Sequence, residues 1–120
     1  MKYFTDVELA CKCGTTACTA PKQVRSEFAT KLDQIRKQVG RPVSVNSGNR
    51  CPYWNAKHGG TENSDHLTGE GADLSAPTSQ ARFELVEAAL VVGITRIGIH
   101  TTFVHVGVSK ALPARVLWLY

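Results

Sequence analysis

The segment from Arg96 to Val108 constrains this chain more than any other. It reads R-I-G-I-H-T-T-F-V-H-V-G-V. The spacing predicts two strands, Arg96–His100 and Phe103–Val108, joined by a tight turn at Thr101-Thr102. Successive side chains on a strand point to opposite faces. Ile97 and Ile99 therefore share one face of the first strand, and Val104, Val106 and Val108 share one face of the second. A sheet with one aliphatic face needs helices to cover it. Gly98 and His100, with Phe103, His105 and Gly107, are left on the other face, so both histidines project from the open side.

Two helices are available for the cover. Val24, Phe28, Leu32, Ile35 and Val39 recur at steps of four, four, three and four, one face of a 3.6-residue period. Thr19 is the expected N-cap, Pro21 suits the first turn, and Gly40 followed by Arg41-Pro42 is a stop signal. A second helix is expected from about Ser79 to Val92, with Phe83, Val86, Ala89 and Leu90 as its apolar face and Gly93 ending it. Val43-Ser44-Val45-Asn46 reads as a short strand, Gly71–Leu74 as a buried one, and the tail R-V-L-W-L-Y as a last one. The expected fold is α+β: two helices on one face of a small, mainly antiparallel sheet, with the chemistry on the opposite face. At 120 residues the chain makes one domain, spanning 1–120.

Between the strands lies Ser47 to Gly71, about 25 residues with Gly48, Gly59, Gly60, Gly69 and Gly71 among polar ones. Pattern alone makes it a long loop, and loops of that length inside compact domains are usually functional. Composition removes several other readings. Apolar residues make up 42% and charged residues 20%, which excludes a disordered tail. No stretch approaches the roughly 20 apolar residues that span a bilayer. The opening M-K-Y-F-T-D-V-E-L-A-C-K has no apolar run, so no secretory signal peptide is expected. The net charge of +4 and pI of about 9.0 suit an acidic partner such as an anionic wall polymer. The basic residues from Lys22 to Arg41 alternate with Glu27 and Asp33, as on a solvated helix face rather than a nucleic-acid stripe.

Four cysteines are present, three in C-K-C-G-T-T-A-C (Cys11, Cys13, Cys18) and one at Cys51. The C-x-x-C pairs usual in zinc knuckles are missing. A four-cysteine zinc site, disulfides and free thiols all remain open, and four cysteines allow three complete pairings.

A histidine, an aspartate seven residues on, and a distant histidine on a strand make a sensible metal-ligand set. His66, Asp73 and His105 stand in that relation. Two imidazoles and one carboxylate hold zinc and leave a fourth position open to water.

The wording around these residues is more specific than their spacing. Ser64, His66, Gly69, Ala72 and Asp73 write S-x-H-x-x-G-x-x-A-D, and a strand then ends on Val104-His105-Val106. This resembles the zinc D-Ala-D-Ala carboxypeptidase family, with its vancomycin-resistance peptidases, phage L-alanyl-D-glutamate endolysins and the zinc-bearing hedgehog domain. Ser47-Gly48-Asn49-Arg50 looks like the family's S-G-x-R segment. Asn55, Gly59, Gly60 and Asn63-Ser64 look like its spacing to the histidine, and F-T-D-V-E-L-A-C-K-C-G looks like the opening of its compact members.

The resemblance implies zinc held by His66, Asp73 and His105. It implies Arg50 pairing with a substrate carboxylate or polarising the scissile carbonyl, and Ser64 helping to hold substrate. Many members carry an acid three residues before the last ligand, where Thr102 stands here. Compact members commonly carry Asp two residues after it, where Gly107 stands. His100 is the best resident candidate for the acid/base role, with Asp65 and Glu70 weaker ones.

The implied function is zinc-dependent hydrolysis of an amide bond in peptidoglycan peptide stems, by a carboxypeptidase or an endopeptidase. The alternative is an inactive zinc-binding module or a phage structural protein that binds wall or protein. The expected partner is the wall peptide, engaged by a monomer, without nucleic acid or membrane. The expected setting is a phage product, made in the host cytoplasm and acting on the wall or carried in the virion.

Overall fold

The computed structural model describes residues 1–120. In chain order the helices are α1 (Asp6–Leu9), α2 (Ser26–Val39), α3 (Pro52–Lys57) and α4 (Ser79–Val91). The strands are β1 (Val45–Ser47), β2 (Gly71–Ser75), β3 (Arg96–Ile99), β4 (Phe103–Gly107) and β5 (Val116–Leu119). A single 3-10 turn, Asp65–Leu67, lies between α3 and β2. The sheet order is β1-β2-β4-β3-β5. Every pairing is antiparallel except β3 with β5. The fold is thus α+β with a mainly antiparallel sheet, as the alternation of Arg96–Val108 required. No helix is long and apolar enough to cross a membrane.

One core joins the helices to the sheet. Phe28, Leu32 and Ile35 of α2 and Leu85, Ala88 and Ala89 of α4 meet Ala72, Leu74, Ile97, Val104 and Val106. The inward residues of β2 and β4 are therefore the even-numbered ones. Asp73 and His105 must leave the sheet on the face away from the helices.

Four expectations need correction. The first long helix starts at Ser26, not near Thr19 and Pro21, and Arg25 caps it without a side-chain bond. The cause is competition for backbone groups. Arg25 N–H donates to the Gly69 carbonyl at 2.8 Å, and the Pro21 carbonyl accepts from Asn49 Nδ2 at 3.0 Å. Residues ahead of α2 brace the long loop instead of extending the helix. Secondly, α4 does not bury Phe83 and Leu90, which are 68% and 61% exposed. Its inner face is Ala81, Leu85, Ala88 and Ala89, because small side chains let the helix lie close against the sheet.

Thirdly, the stretch from Ser47 to Gly71 is not bare loop. It contains α3, opened by Pro52 at its first position, and the 3-10 turn. Fourthly, a short N-terminal helix precedes all of this. In α1, Thr5 and Glu8 form a reciprocal capping box, and buried Leu9 plugs the core. The Leu9 carbonyl accepts from Asn49 N–H at 2.8 Å. At Gly48 the chain passes so close to Leu9 that any Cβ would strike its backbone.

Candidate metal centre

The register of the sheet builds the site. Asp73 on β2 stands directly opposite His105 on β4. The third member, His66, comes from the 3-10 turn. Ser64 Oγ caps that turn by accepting His66 N–H at 3.2 Å. The His66 carbonyl accepts Arg50 N–H at 2.9 Å, which ties the turn to the S-G-N-R segment. One ligand atom from each of His66, Asp73 and His105 lies within 4.8 Å of the others. Asp73 Oδ1 is 3.2 Å from His66 Nε2 and 2.9 Å from His105 Nδ1. All three residues are buried.

The outer nitrogens of both rings are held from behind. His66 Nδ1 lies 2.6 Å from the Gly48 carbonyl oxygen. A carbonyl only accepts, so Nδ1 carries the proton and Nε2 turns a lone pair inward. Burial holds the His66 pKa below its ordinary value, against the pull of Asp73, which favours that neutral form. His105 Nε2 lies 2.9 Å from Asp65 Oδ2, so this nitrogen too is a donor. Its Nδ1 is the atom facing Asp73. A backbone carbonyl behind one histidine and a carboxylate behind the other is how metal-binding imidazoles are usually oriented. Two inward nitrogens and one carboxylate oxygen form a donor set that fits zinc.

The charges inside are balanced. Burial pushes the Asp73 carboxyl upward, but the two imidazoles beside it, His105 and His66, outweigh that and its pKa falls. Asp65 behaves alike: burial opposes ionisation, while His105, Arg96 and the Ser109 N–H favour it, and the net shift is downward. For His105 burial favours the neutral ring, but bonds to Asp65 and Asp73 outweigh that and raise its pKa. Arg50 Nη2 pairs with Asp73 Oδ2 at 3.1 Å, leaving Oδ1 for the histidines. Its Nε donates to Ser47 Oγ at 2.9 Å and its Nη1 to Asn55 Oδ1 at 3.1 Å. Arg96 Nε pairs with Asp65 Oδ2 at 3.0 Å.

Gly107, where the sequence resemblance raised the expectation of an acid, lies against Asp65. A Cβ on Gly107 would collide with the Asp65 carboxyl. Asp65 fills the space that a side chain at 107 would enter. Its carboxylate is spent on His105, Arg96 and the Ser109 N–H, so it orients a ring and is not free to act as a base.

A cavity of about 510 Å³ opens over the cluster. Arg50, Ser64, His66, Asp73, His100 and His105 all line it. His100 stacks on Phe103 with ring centroids 4.6 Å apart. Its Nδ1 lies 3.2 Å from Thr102 N and 3.1 Å from Thr102 Oγ1, which leaves Nε2 as the nitrogen for a substrate. Glu70 is not part of the lining: its Oε1 accepts Thr68 Oγ1 at 2.6 Å and lies 3.9 Å from Arg25 Nε. Sequence reasoning named Asn55 only within the resemblance and missed Arg96, Trp118 and Tyr120. Trp118 of β5 and Tyr120 just after it wall the cavity, and Trp118 lies over Gly98, where a Cβ would strike the indole. The glycine facing a tryptophan across parallel strands was a readable signal. Nothing local pointed to Arg96.

The chain matches the model of the peptidase M15 family over residues 2–107. It is also similar to a zinc D-Ala-D-Ala carboxypeptidase of Streptomyces albus G, with 41% identity over 68 residues. Those residues make up 56% of this chain and 26% of that relative, so the match spans about a quarter of the relative's length. The chain belongs to the peptidase M15 family.

Proposed function

We propose that this member of the peptidase M15 family is a zinc metallopeptidase that hydrolyses an amide bond in the peptide stem of bacterial peptidoglycan. The observation that carries the reading is the convergence of His66 Nε2, Asp73 Oδ1 and His105 Nδ1 on the floor of an open cavity, with both rings held from behind. Similarity to a zinc D-Ala-D-Ala carboxypeptidase supports the metal and the class of substrate.

Zinc, held by these three residues, would supply Lewis acidity and lower the pKa of water there toward about 7. The remaining work falls to side chains of this chain. Arg50 spends three of its five N–H donors on Ser47, Asn55 and Asp73. The two left, one on Nη1 and one on Nη2, are available to a substrate carboxylate or to the oxyanion formed as water adds to the carbonyl carbon. Ser64 at the cavity wall offers a hydroxyl to the peptide. As the C–N bond breaks, His100 in its imidazolium form would give the Nε2 proton to the leaving nitrogen, and the proton released by the attacking water would recharge the ring. Trp118 and Tyr120 give the stem an apolar wall to lie on. Action on the wall by a phage-encoded chain is the proposed setting.

The test is mass spectrometry of muropeptides incubated with zinc-loaded protein. A stem shortened or split at one amide bond is expected, with no product from His66→Ala. Unchanged muropeptides at full zinc loading would reject the peptidase reading in favour of a binding module.

A further inference from the structure

Separate from the His-Asp-His cluster is a second group of metal-ligating side chains. The Sγ atoms of Cys11, Cys13, Cys18 and Cys51 all lie within 4.8 Å of one another. We propose that these four thiolates bind a second zinc ion in a closed, structural site. The proposal does not depend on the peptidase reading.

Geometry separates a metal from the alternatives. Zinc–sulfur bonds of about 2.3 Å in a tetrahedron set sulfur–sulfur edges near 3.8 Å. Cys11 Sγ and Cys51 Sγ are 3.8 Å apart. A disulfide needs about 2.05 Å and joins thiols in twos, so it gives no reason for a third and fourth sulfur to crowd the same point. Here all four do, although Cys51 is separated from Cys11 by 40 positions. A closed site also needs donors that stabilise sulfur charge. Cys51 N–H donates to Cys11 Sγ at 3.4 Å, and Thr15 Oγ1 lies 3.3 Å from Cys13 Sγ. Gly14, at φ +70°, supplies the left-handed turn that carries the chain around after Cys13. No position is left for water, so the site is one for structure and not for chemistry.

The placement says what the structure gains. Cys11 follows α1, Cys13 and Cys18 bracket an irregular segment, and Cys51 is the N-cap of α3. That segment has no regular secondary structure of its own. A metal would join all three pieces at one point. Arg50 immediately precedes Cys51, so the same ion would fix the chain where the catalytic-site arginine leaves it.

Cobalt(II) is the probe, because thiolate ligands give it an intense near-ultraviolet charge-transfer absorption that histidine and carboxylate do not. Titration of the reduced, metal-free wild-type chain is expected to produce this absorption and to saturate at one thiolate-bound ion per chain. Added zinc should abolish it, and Cys11→Ser/Cys51→Ser should not show it. In the same preparation, zinc should protect all four thiols from a thiol reagent. His66→Ala/His105→Ala should retain the absorption, which separates this site from the other. A reduced wild-type chain that gives no thiolate absorption, or four thiols still reactive at saturating zinc, would overturn the proposal. Disulfides in protein isolated under reductant would overturn it as well.

Discussion

Replacing Asp65 by Asn tests whether the site is built from behind. The substitution keeps size and shape and removes one acceptor. In the native chain Oδ2 accepts from His105 Nε2 at 2.9 Å and Arg96 Nε at 3.0 Å, while Oδ1 accepts from the Ser109 N–H at 3.1 Å. An amide has one oxygen. If it faces His105 and Arg96, the new NH₂ points at the Ser109 N–H. If it faces Ser109, the NH₂ confronts two donors. Either way a buried donor loses its partner, and Arg96 loses its counter-charge. Charge-assisted bonds of this kind contribute about 1.5–3 kcal/mol each, and an orphaned buried donor costs about 1–3 kcal/mol. A loss of about 2–4 kcal/mol is expected, within the roughly 5–15 kcal/mol that holds a domain together. The variant should therefore fold, with a lower denaturation midpoint. Zinc should bind about 10–100 times more weakly, because the His105 ring is no longer fixed. Competition against a chromophoric chelator measures the second effect, and urea unfolding the first. Zinc affinity within twofold of wild type would refute the idea that Asp65 orients a ligand.

Other substitutions probe the cavity itself. Arg50→Lys keeps the charge but cannot reach Ser47, Asn55 and Asp73 together, so hydrolysis of stem peptide should fall about a hundredfold; near wild-type turnover would remove Arg50 from the reaction. His100→Ala should leave zinc content and melting unchanged and cost roughly two orders of magnitude in rate, read as kcat on a defined stem peptide. A few-fold change at most would take the proton transfer away from His100. Stripping the metal should lower the melting temperature by on the order of 10 °C, since saturating ligand at about a hundred times its Kd adds about 2.7 kcal/mol. An unchanged melt, with metal loss verified by elemental analysis, would contradict a metal-braced loop.

What was legible in the sequence followed from periods that the packing respects. Alternation along Phe103–Gly107 put Val104 and Val106 inward and His105 outward, and the structure agrees because helices cover only that inward face. The same period placed Asp73 opposite Ala72 and Leu74. The four-residue rhythm of α2 found Phe28, Leu32 and Ile35, all fully buried. Reading failed where tertiary contact outbids local pattern. The face of α4 was chosen by its largest side chains, whereas close packing favoured its alanines. Helix α3 is too short to show a period, and its main anchor is polar: buried Asn55 accepts from Arg50 and donates to the Thr61 carbonyl at 2.7 Å. Asp65 stands beside His66 in the sequence yet serves His105, 40 positions away, and only the fold reveals that.

The distribution of charge around the cluster says which substrate oxygens the site suits. Each buried carboxylate has its own guanidinium: Asp73 has Arg50, and Asp65 has Arg96. These pairs cancel, so they add little net field, and buried pairs of this kind contribute position more than stability. Burial disfavours a charge on His66. A divalent cation arriving between the histidines therefore meets no surplus of negative charge, and most of its own charge stays uncompensated within the cavity. The surplus would then be positive, inside a cleft that the protein partly shields from solvent. On the proposed function, a peptide carbonyl that gains charge as water adds to it would be stabilised there, and so would a terminal carboxylate held by the two N–H groups that Arg50 has left. The carboxylate pairs that hold the ligands in place would thus also leave a bound cation electrostatically unmatched until an anionic group of the proposed peptide entered.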